Sequence, residues 1–475
     1  MRRALSCCLI AALAAPLSAC AVGPDFVAPA APRTPRFTPE ATASPGTGQK
    51  FRLGAQASEK WWSAFRSKRL DALIEEALAR SPTLEAAEAA IRVAQFEADA
   101  ARGPLLPQIG LGSGSNYIYS SGYSTTTTVT QSAYSFFSKQ VNVSFSPDIW
   151  GGTRRTIESL EAQQEVAAYQ KQAAHLTLAA DVAKAAIEEA ALRAEIATTR
   201  KTIDLEQERL TLLKRQLVFG AATSVDILSQ QTVLAQSRQT LPALETRLAQ
   251  QRNLLAKLAG RTPYDAVEES FELVELSLPH DMPVSLPAQI ISQRPDLKAA
   301  EAQMHAASAR IGAAVAARLP NVTLTGNAGS SAFKIAQLFA PGTNFYTLAG
   351  NVAQPVLDGA TLLNNQRAAE AGLNEAEARY KGAVVNAFQN VADALRALQG
   401  DARAVKEARI TEATSRRYLD KIRMQQNFGA VSQLAVVDAQ RAYLATSIAR
   451  IRAESQRLSD SVALFVAIGG GEMTA

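Results

Sequence analysis

Cysteine is nearly missing from this 475-residue chain: Cys7, Cys8 and Cys20 all fall within the first twenty residues. Everything after them therefore lacks a disulfide, a thiolate metal site and a thiol nucleophile. Histidine is scarce as well. His175, His280 and His305 are scattered, and none has a second ligand at metal spacing. Neither sign of charge dominates, since 49 Lys and Arg against 44 Asp and Glu give a formal +5. That balance argues against a dedicated nucleic-acid binder. No long apolar helix is present, and no nucleophile–base–acid constellation stands out, which disfavours an enzyme and implies no cofactor. Gly110-Leu-Gly-Ser-Gly114 is not a nucleotide loop, because no strand precedes it and no helix follows. Apolar residues make up 47% of the chain, enough to bury a sizeable core and to exclude wholesale disorder.

At the amino terminus, Arg2 and Arg3 precede an apolar run from Ala4 to Ala19, which reads as a signal peptide over residues 1–19. The run is too short, and too interrupted by Ser6, Pro16 and Ser18, to cross a membrane as a helix. Leu17-Ser18-Ala19-Cys20 looks like a bacterial lipobox, whose cysteine is acylated. An ordinary cleavage site is the alternative, but the lipobox explains why a lone cysteine sits there. Acyl chains on Cys20 anchor the protein to lipid, each buried CH₂ contributing roughly 0.8 kcal/mol. Ala21 stands where many such lipoproteins carry an inner-membrane retention aspartate, so that resemblance points to the outer membrane. Residues 21–50 hold Pro24, Pro29, Pro32, Pro35, Pro39 and Pro45 and read as an extended tether.

The chain is written twice. Pro82-Thr-Leu-Glu-Ala-Ala-Glu-Ala lines up with Pro295-Asp-Leu-Lys-Ala-Ala-Glu-Ala at an offset of 213, and Phe219-Gly-Ala matches Phe428-Gly-Ala at 209. Leu255, Leu258 and Gly260 match Phe465, Ile468 and Gly470 at 210. The reading is a lipidated N-terminal segment over 20–60 and a first repeat over 61–262. A linker over 263–287 and a second repeat over 288–475 follow. Each repeat carries a first helix (Leu70–Arg102, Leu286–Arg318), a β-hairpin (105–150, 319–358), a very long helix (Thr153–Val218, Thr361–Asn427) and a final helix reaching Ala259 or Ile468. Thr153–Val218 contains neither Gly nor Pro and is rich in Ala, Glu, Gln and Leu, so helix is the strong expectation. At 1.5 Å per residue such a helix is about 100 Å long, several times the width of a globular domain. Leu176, Ala179, Ala180, Ala183 and Ile187 form a seam for lateral packing. Pro242 should kink the last helix of the first repeat.

The strand segments alternate. Ile109, Leu111, Tyr117 and Tyr119 share one face, with Gln108, Gly110, Gly112, Gly114 and Asn116 on the other. Phe137, Val141, Val143 and Phe145 oppose Ser138, Gln140, Asn142 and Ser144, and Val322 and Leu324 oppose Asn321, Thr323, Thr325 and Asn327. The fourth segment, about Phe345–Val356, alternates less cleanly. One apolar and one small-polar face suits a membrane β-barrel with lipid outside and water inside; a soluble sheet on a core is the bland alternative. Backbone in lipid must be fully paired, and four strands cannot close on themselves. A barrel of this kind has to be shared between chains.

At this point the motifs carry a resemblance. The chain is similar to the outer-membrane efflux proteins of the TolC type, in their NodT-like lipoprotein branch. The likeness rests on Cys20-Ala-Val-Gly-Pro-Asp25, Trp61-Trp-Ser-Ala-Phe65, Ser146-Pro-Asp-Ile-Trp-Gly151 with Arg154-Arg155, Arg294-Pro-Asp-Leu297, Gln354-Pro-Val-Leu-Asp-Gly359 and Asp438-Ala-Gln-Arg441. It implies a mainly α fold with a membrane β-barrel. The barrel is a homotrimer's, twelve-stranded with four strands per chain, and is continued by a long periplasmic α-helical barrel. It further implies a periplasmic adaptor and an inner-membrane transporter of the resistance–nodulation–division class as partners. The function implied is the exit duct of a tripartite efflux system for small molecules such as drugs. Type I protein secretion is the second reading, and a pore-less structural envelope lipoprotein the third.

The breaks between long and final helices then read as periplasmic tips that contact the adaptor: Gly220, Ala221, Thr223, Ser224 and Asp226 in the first, and Gly429, Ala430 and Ser432 in the second. Glycine C-caps followed by Thr or Ser N-caps account for the same residues structurally. Asp226, Val431 and Asp438 are the candidates for a pore constriction, Asp226 being equally a plain helix-start acid. Many relatives place an aspartate where this chain has Val431, so the constriction is expected to be more apolar and less cation-binding.

Overall fold

The structure, a computed structural model, describes residues 21–30, 34–40, 43–46, 48–123, 129–265 and 270–471, with backbone alone over 120–123 and 129–132. The signal peptide, Cys20 and the threonine run 125–128 lie outside the described residues. In chain order the elements are β1 (Lys50–Leu53), α1 (Lys68–Arg80), α2 (Pro82–Ala101), β2 (Gln108–Tyr123), β3 (Val129–Phe145), α3 (Gly152–Val218), α4 (Ser224–Leu258), β4 (Asp281–Val284), α5 (Pro287–Gln293), α6 (Pro295–Ala316), β5 (Asn321–Ala332), β6 (Asn344–Ala353), α7 (Thr361–Asn427) and α8 (Gln433–Ala467).

The long helices α3 and α7 run 67 residues each, within a residue of expectation. The single first helix expected of each repeat is instead two. Proline clashes with a helical residue before it, so Ser81 and Arg294 take extended backbone (ψ 117° and 123°), breaking the chain at Ser81-Pro82 and Arg294-Pro295. Pro242 lies inside a continuous α4.

Two compact units emerge, and neither is a repeat: each takes residues from both halves of the chain. Among the described residues, the first falls within 21–29, 89–167 and 299–380, and the second within 30–88, 168–298 and 381–471. The physical reason is strand pairing. In the first unit β3 of the first repeat pairs with β5 of the second, and one antiparallel sheet forms in the order β2-β3-β5-β6.

The tether reading also needs correction. Residues 21–26 are docked in the first unit, not free. The Val22 N–H donates to the Trp150 carbonyl at 3.0 Å, and the buried Arg155 guanidinium donates to the Val22 carbonyl (3.2 Å), Asp25 Oδ1 (2.6 Å) and Glu158 Oε2 (2.8 Å). Phe26 stacks on His305 at 4.7 Å. Gly23 makes this possible, because a Cβ there would lie 2.4 Å from the Gly312 Cα.

In the second unit Phe37 meets Phe388 at 5.7 Å, Arg396 pairs with Glu40, and β1 pairs in parallel with β4, bringing the N-terminal segment and the inter-repeat linker together. Its core holds the sequence motif Trp61-Trp62-Ser-Ala-Phe65, with Trp61 stacked on Phe465 at 5.3 Å. Along α3 Leu176, Ala179, Ala180, Ala183 and Ile187 are buried, the seam that apolar residues at three- and four-residue spacing predicted.

Candidate functional site

Two surfaces carry the functional expectations: the helical tips in the second unit and the sheet in the first. Each tip begins with a glycine in the left-handed region, Gly220 at φ +70° and Gly429 at +74°, where a side chain would be strained. That turn lets the Ala221 N–H reach the Gln216 carbonyl (2.8 Å) and the Ala430 N–H reach the Gln425 carbonyl (2.9 Å), closing the ends of α3 and α7.

Beyond the glycines the tips diverge. Thr223 caps α4: its Oγ1 accepts the Asp226 N–H (3.2 Å), while Asp226 Oδ2 accepts from the Thr223 N–H (2.8 Å) and hydroxyl (2.7 Å). Those donors hold the Asp226 carboxyl below the usual carboxylate range. Ser432 occupies the N-cap of α8 without a side-chain cap bond. Val431 is half-buried against a cluster of Leu419, Ile422, Val436 and Ala439. Gly220, Ala221, Thr223, Ser224, Gly429, Ala430, Ser432 and Asp438 are exposed.

Sequence reasoning passed over two features here. Phe219 and Phe428, the residues before the tip glycines, are 86% and 82% exposed, an apolar pair presented to the surroundings. Behind the tips lies a buried polar layer drawn from all four long helices. The Arg209 guanidinium donates to Gln426 and to Gln433 Oε1 (2.6 Å), and Gln433 Nε2 donates to Gln230 Oε1 (3.0 Å). Gln230 Nε2 donates in turn to the Glu206 carbonyl (3.3 Å), and the Ser237 hydroxyl to Glu206 Oε1 (3.1 Å). Burial pushes the Glu206 carboxyl up; it pulls Arg209 down, with Arg423 adding to that. The signal was available: Gln230 and Ser237 recur as Gln440 and Ser447 at the repeat offset, all buried on otherwise apolar seams.

In the sheet, register settles which side chains share a face. Leu111 stands opposite Val141, then Ala328, then Tyr346; the next row reads Ile109, Val143, Gly326, Leu348. The less regular fourth segment joins this face through Tyr346, Leu348 and Val352, which are 81%, 82% and 71% exposed. A polar row, Ser113, Lys139, Ser330 and Asn344, interrupts this face before the aromatic Phe137, Tyr117 and Tyr119, with Lys139 5.2 Å over the Phe339 ring. From the Val322 row to the Ala328 row is about 20 Å along the strand, close to the ~25 Å apolar band of outer-membrane barrels. The opposite face is Gly, Ser, Thr, Asn and Gln through most of its height and carries no charge among the described strand residues.

Comparison with known proteins decides the family. The profile of the outer membrane efflux proteins matches residues 73–261 and again 286–470. The chain belongs to the outer membrane efflux protein family. Among its relatives in this family, the pyoverdine export outer membrane protein OpmQ of Pseudomonas putida is 31% identical over 88% of the chain and 89% of the relative. The cation efflux system protein CusC of Escherichia coli is 26% identical over 96% of the chain and 97% of the relative. The solved outer-membrane channel OprN superposes with a TM-score of 0.85 at 22% identity, covering 95% of the chain and 99% of that structure. The chain thus has the fold of these non-enzymatic channels, and its location is the outer membrane.

Among the described residues no helix is long and apolar enough to cross a membrane, and no group of three or more His, Cys, Asp or Glu is placed to hold a metal. His305 is engaged by Phe26 and Glu158, and burial pulls the His175 imidazole down.

Proposed function

We propose that this outer membrane efflux protein works as the exit duct of a tripartite efflux system, three copies closing one twelve-stranded barrel through which small molecules pass passively. The observation that carries this reading is the sheet. It has one exposed apolar face, one uncharged polar face, and two unpaired edges in β2 and β6. Lipid supplies no hydrogen bonds, so those edges need partners, and a neighbouring copy supplies them. Cys20 carries the acyl anchor, and residues 61–262 and 288–475 act as the two efflux repeats.

The tip residues Gly220, Ala221, Thr223, Ser224, Gly429, Ala430 and Ser432, with Phe219 and Phe428, meet the periplasmic adaptor, which links the duct to an inner-membrane transporter of the resistance–nodulation–division class. Asp226, Val431 and Asp438 form the constriction. Asp226 contributes charge that is already committed to capping α4, and Val431 leaves the second tip apolar. The relatives named for pyoverdine export and cation efflux favour small cargo over secreted protein.

Purified protein in planar bilayers tests the reading. A trimer by native mass spectrometry with single-channel current is expected, and a non-conducting monomer refutes it. In the same assay Val431→Asp should raise cation preference; unchanged conductance and selectivity would remove Val431 from the constriction.

A further inference from the structure

The polar face of the sheet is not uniform along its height. From the strand ends that join the helices, through Asn116, Ser138 and Ser331, its described side chains are small or neutral polar apart from Phe345, which lies opposite Gly329. At the far end the character changes. Asn116 faces Phe136 across the β2–β3 pair, the next row on that face pairs Ile118 with Tyr134, and Phe333, just past the end of β5, meets both rings. The three rings touch: Phe333 meets Tyr134 edge-to-face at 5.5 Å and Phe136 at 6.4 Å. Phe333 remains 64% exposed and Tyr134 39%.

Large apolar side chains on a face otherwise suited to water leave ring faces open for contact. No charged side chain accompanies them on that face among the described strand residues, so the contact they offer is stacking and not ion pairing.

We propose that Tyr134, Phe136 and Phe333 form an aromatic contact site at the outer mouth of the duct, selecting planar, apolar-faced molecules among the cargo that leaves. This rests on the duct reading above, since the polar face must line water for cargo to reach the rings. Each copy brings one cluster, so a closed trimer presents three around its exit. The strand lining below them is uncharged, so on this face the rings, after the single Phe345, offer cargo contact by stacking and not by charge.

The test is current block of the full-length trimer in planar bilayers by two cations of equal charge, planar ethidium and ring-free tetrabutylammonium, added from either side. Wild-type protein should be blocked more strongly by ethidium. Phe333→Leu and Phe136→Leu keep an apolar side chain without the ring and should each weaken ethidium block at least fivefold while leaving tetrabutylammonium block unchanged. Comparable trimer yield and open-channel stability show that the variants are folded. Ethidium block that survives both substitutions, or that equals tetrabutylammonium block in the wild type, overturns the aromatic site and leaves the duct intact. Absence of any wild-type current overturns the duct reading and this inference with it.

Discussion

The two tips share a backbone and differ in chemistry. Both turn at a left-handed glycine and both start a 35-residue helix, yet the start of the first helix is held by side-chain hydrogen bonds and the second tip by apolar contact. At the first, the Thr223–Asp226 box satisfies the opening N–H groups of α4, while Val225 and Leu228 stay 70% and 62% exposed. At the second, Ser432 makes no cap bond, and Val431 instead packs on Leu419, Ile422, Val436 and Ala439. A duplicated unit can therefore keep its geometry while its two copies diverge in what holds them. Further from the tips the contrast continues. Asp401 and Asp460 interact across α7 and α8, where the repeat offset places Leu192 and Gln250 in the first copy.

The largest expected effect breaks the second tip. Leu419→Ala leaves a cavity in its small cluster and should cost about 2–4 kcal/mol of local stability. Amide exchange should speed over residues 420–440, with residues 215–230 unaffected.

At the first tip, Thr223→Ala removes the cap and should cost about 1 kcal/mol, read as faster exchange at the start of α4. Acid should mimic it. The capped Asp226 carboxyl titrates below its ordinary value, so its contribution is present above that value and fades as pH falls through the lowered one.

Asp401→Asn sharpens the comparison through pH. Burial first, then the hydrogen bond and repulsion from Asp460, push the Asp401 carboxyl up to about 7, against the opposing Arg457. Between the ordinary carboxylate range and about pH 7 the folded protein holds a proton that the unfolded chain releases, so stability falls as pH rises across that window. The variant should melt at a higher temperature than wild type at pH 8 and show a flatter pH profile by circular dichroism.

The smallest effect is Ser432→Ala. With no cap bond to lose, exchange at the start of α8 should change by less than about 0.5 kcal/mol. A loss as large as that of Thr223→Ala would erase the distinction between the tips.

Much of this was legible beforehand. The helix bounds of α3 and α7 followed from long stretches of helix formers, and the two-faced strands from strict alternation. The breaks at Pro82 and Pro295 were written in the sequence too, since both prolines were in plain view inside expected helices. Other features had no local signal. Arg155 enters the sequence reading only as part of a family motif, and its contacts with Val22 and Asp25, 133 and 130 residues earlier, make it the clamp for the N-terminal segment. Asp226 could be read equally as gate or cap, and only the distance to Thr223 shows that it caps α4.

Periodicity and composition act between neighbours in the chain, so the sequence alone determined the rods, the alternating hairpins, the duplication and the positions of the turns. Pairing between distant segments depends on which surfaces meet when the chain folds. Tertiary structure therefore decided that strands of both repeats share one sheet and that residues 21–26 are docked. It also decided that two tips of the same origin are held by different forces, because one carboxylate found a hydroxyl within reach and the valine near its counterpart found a hydrophobic cluster.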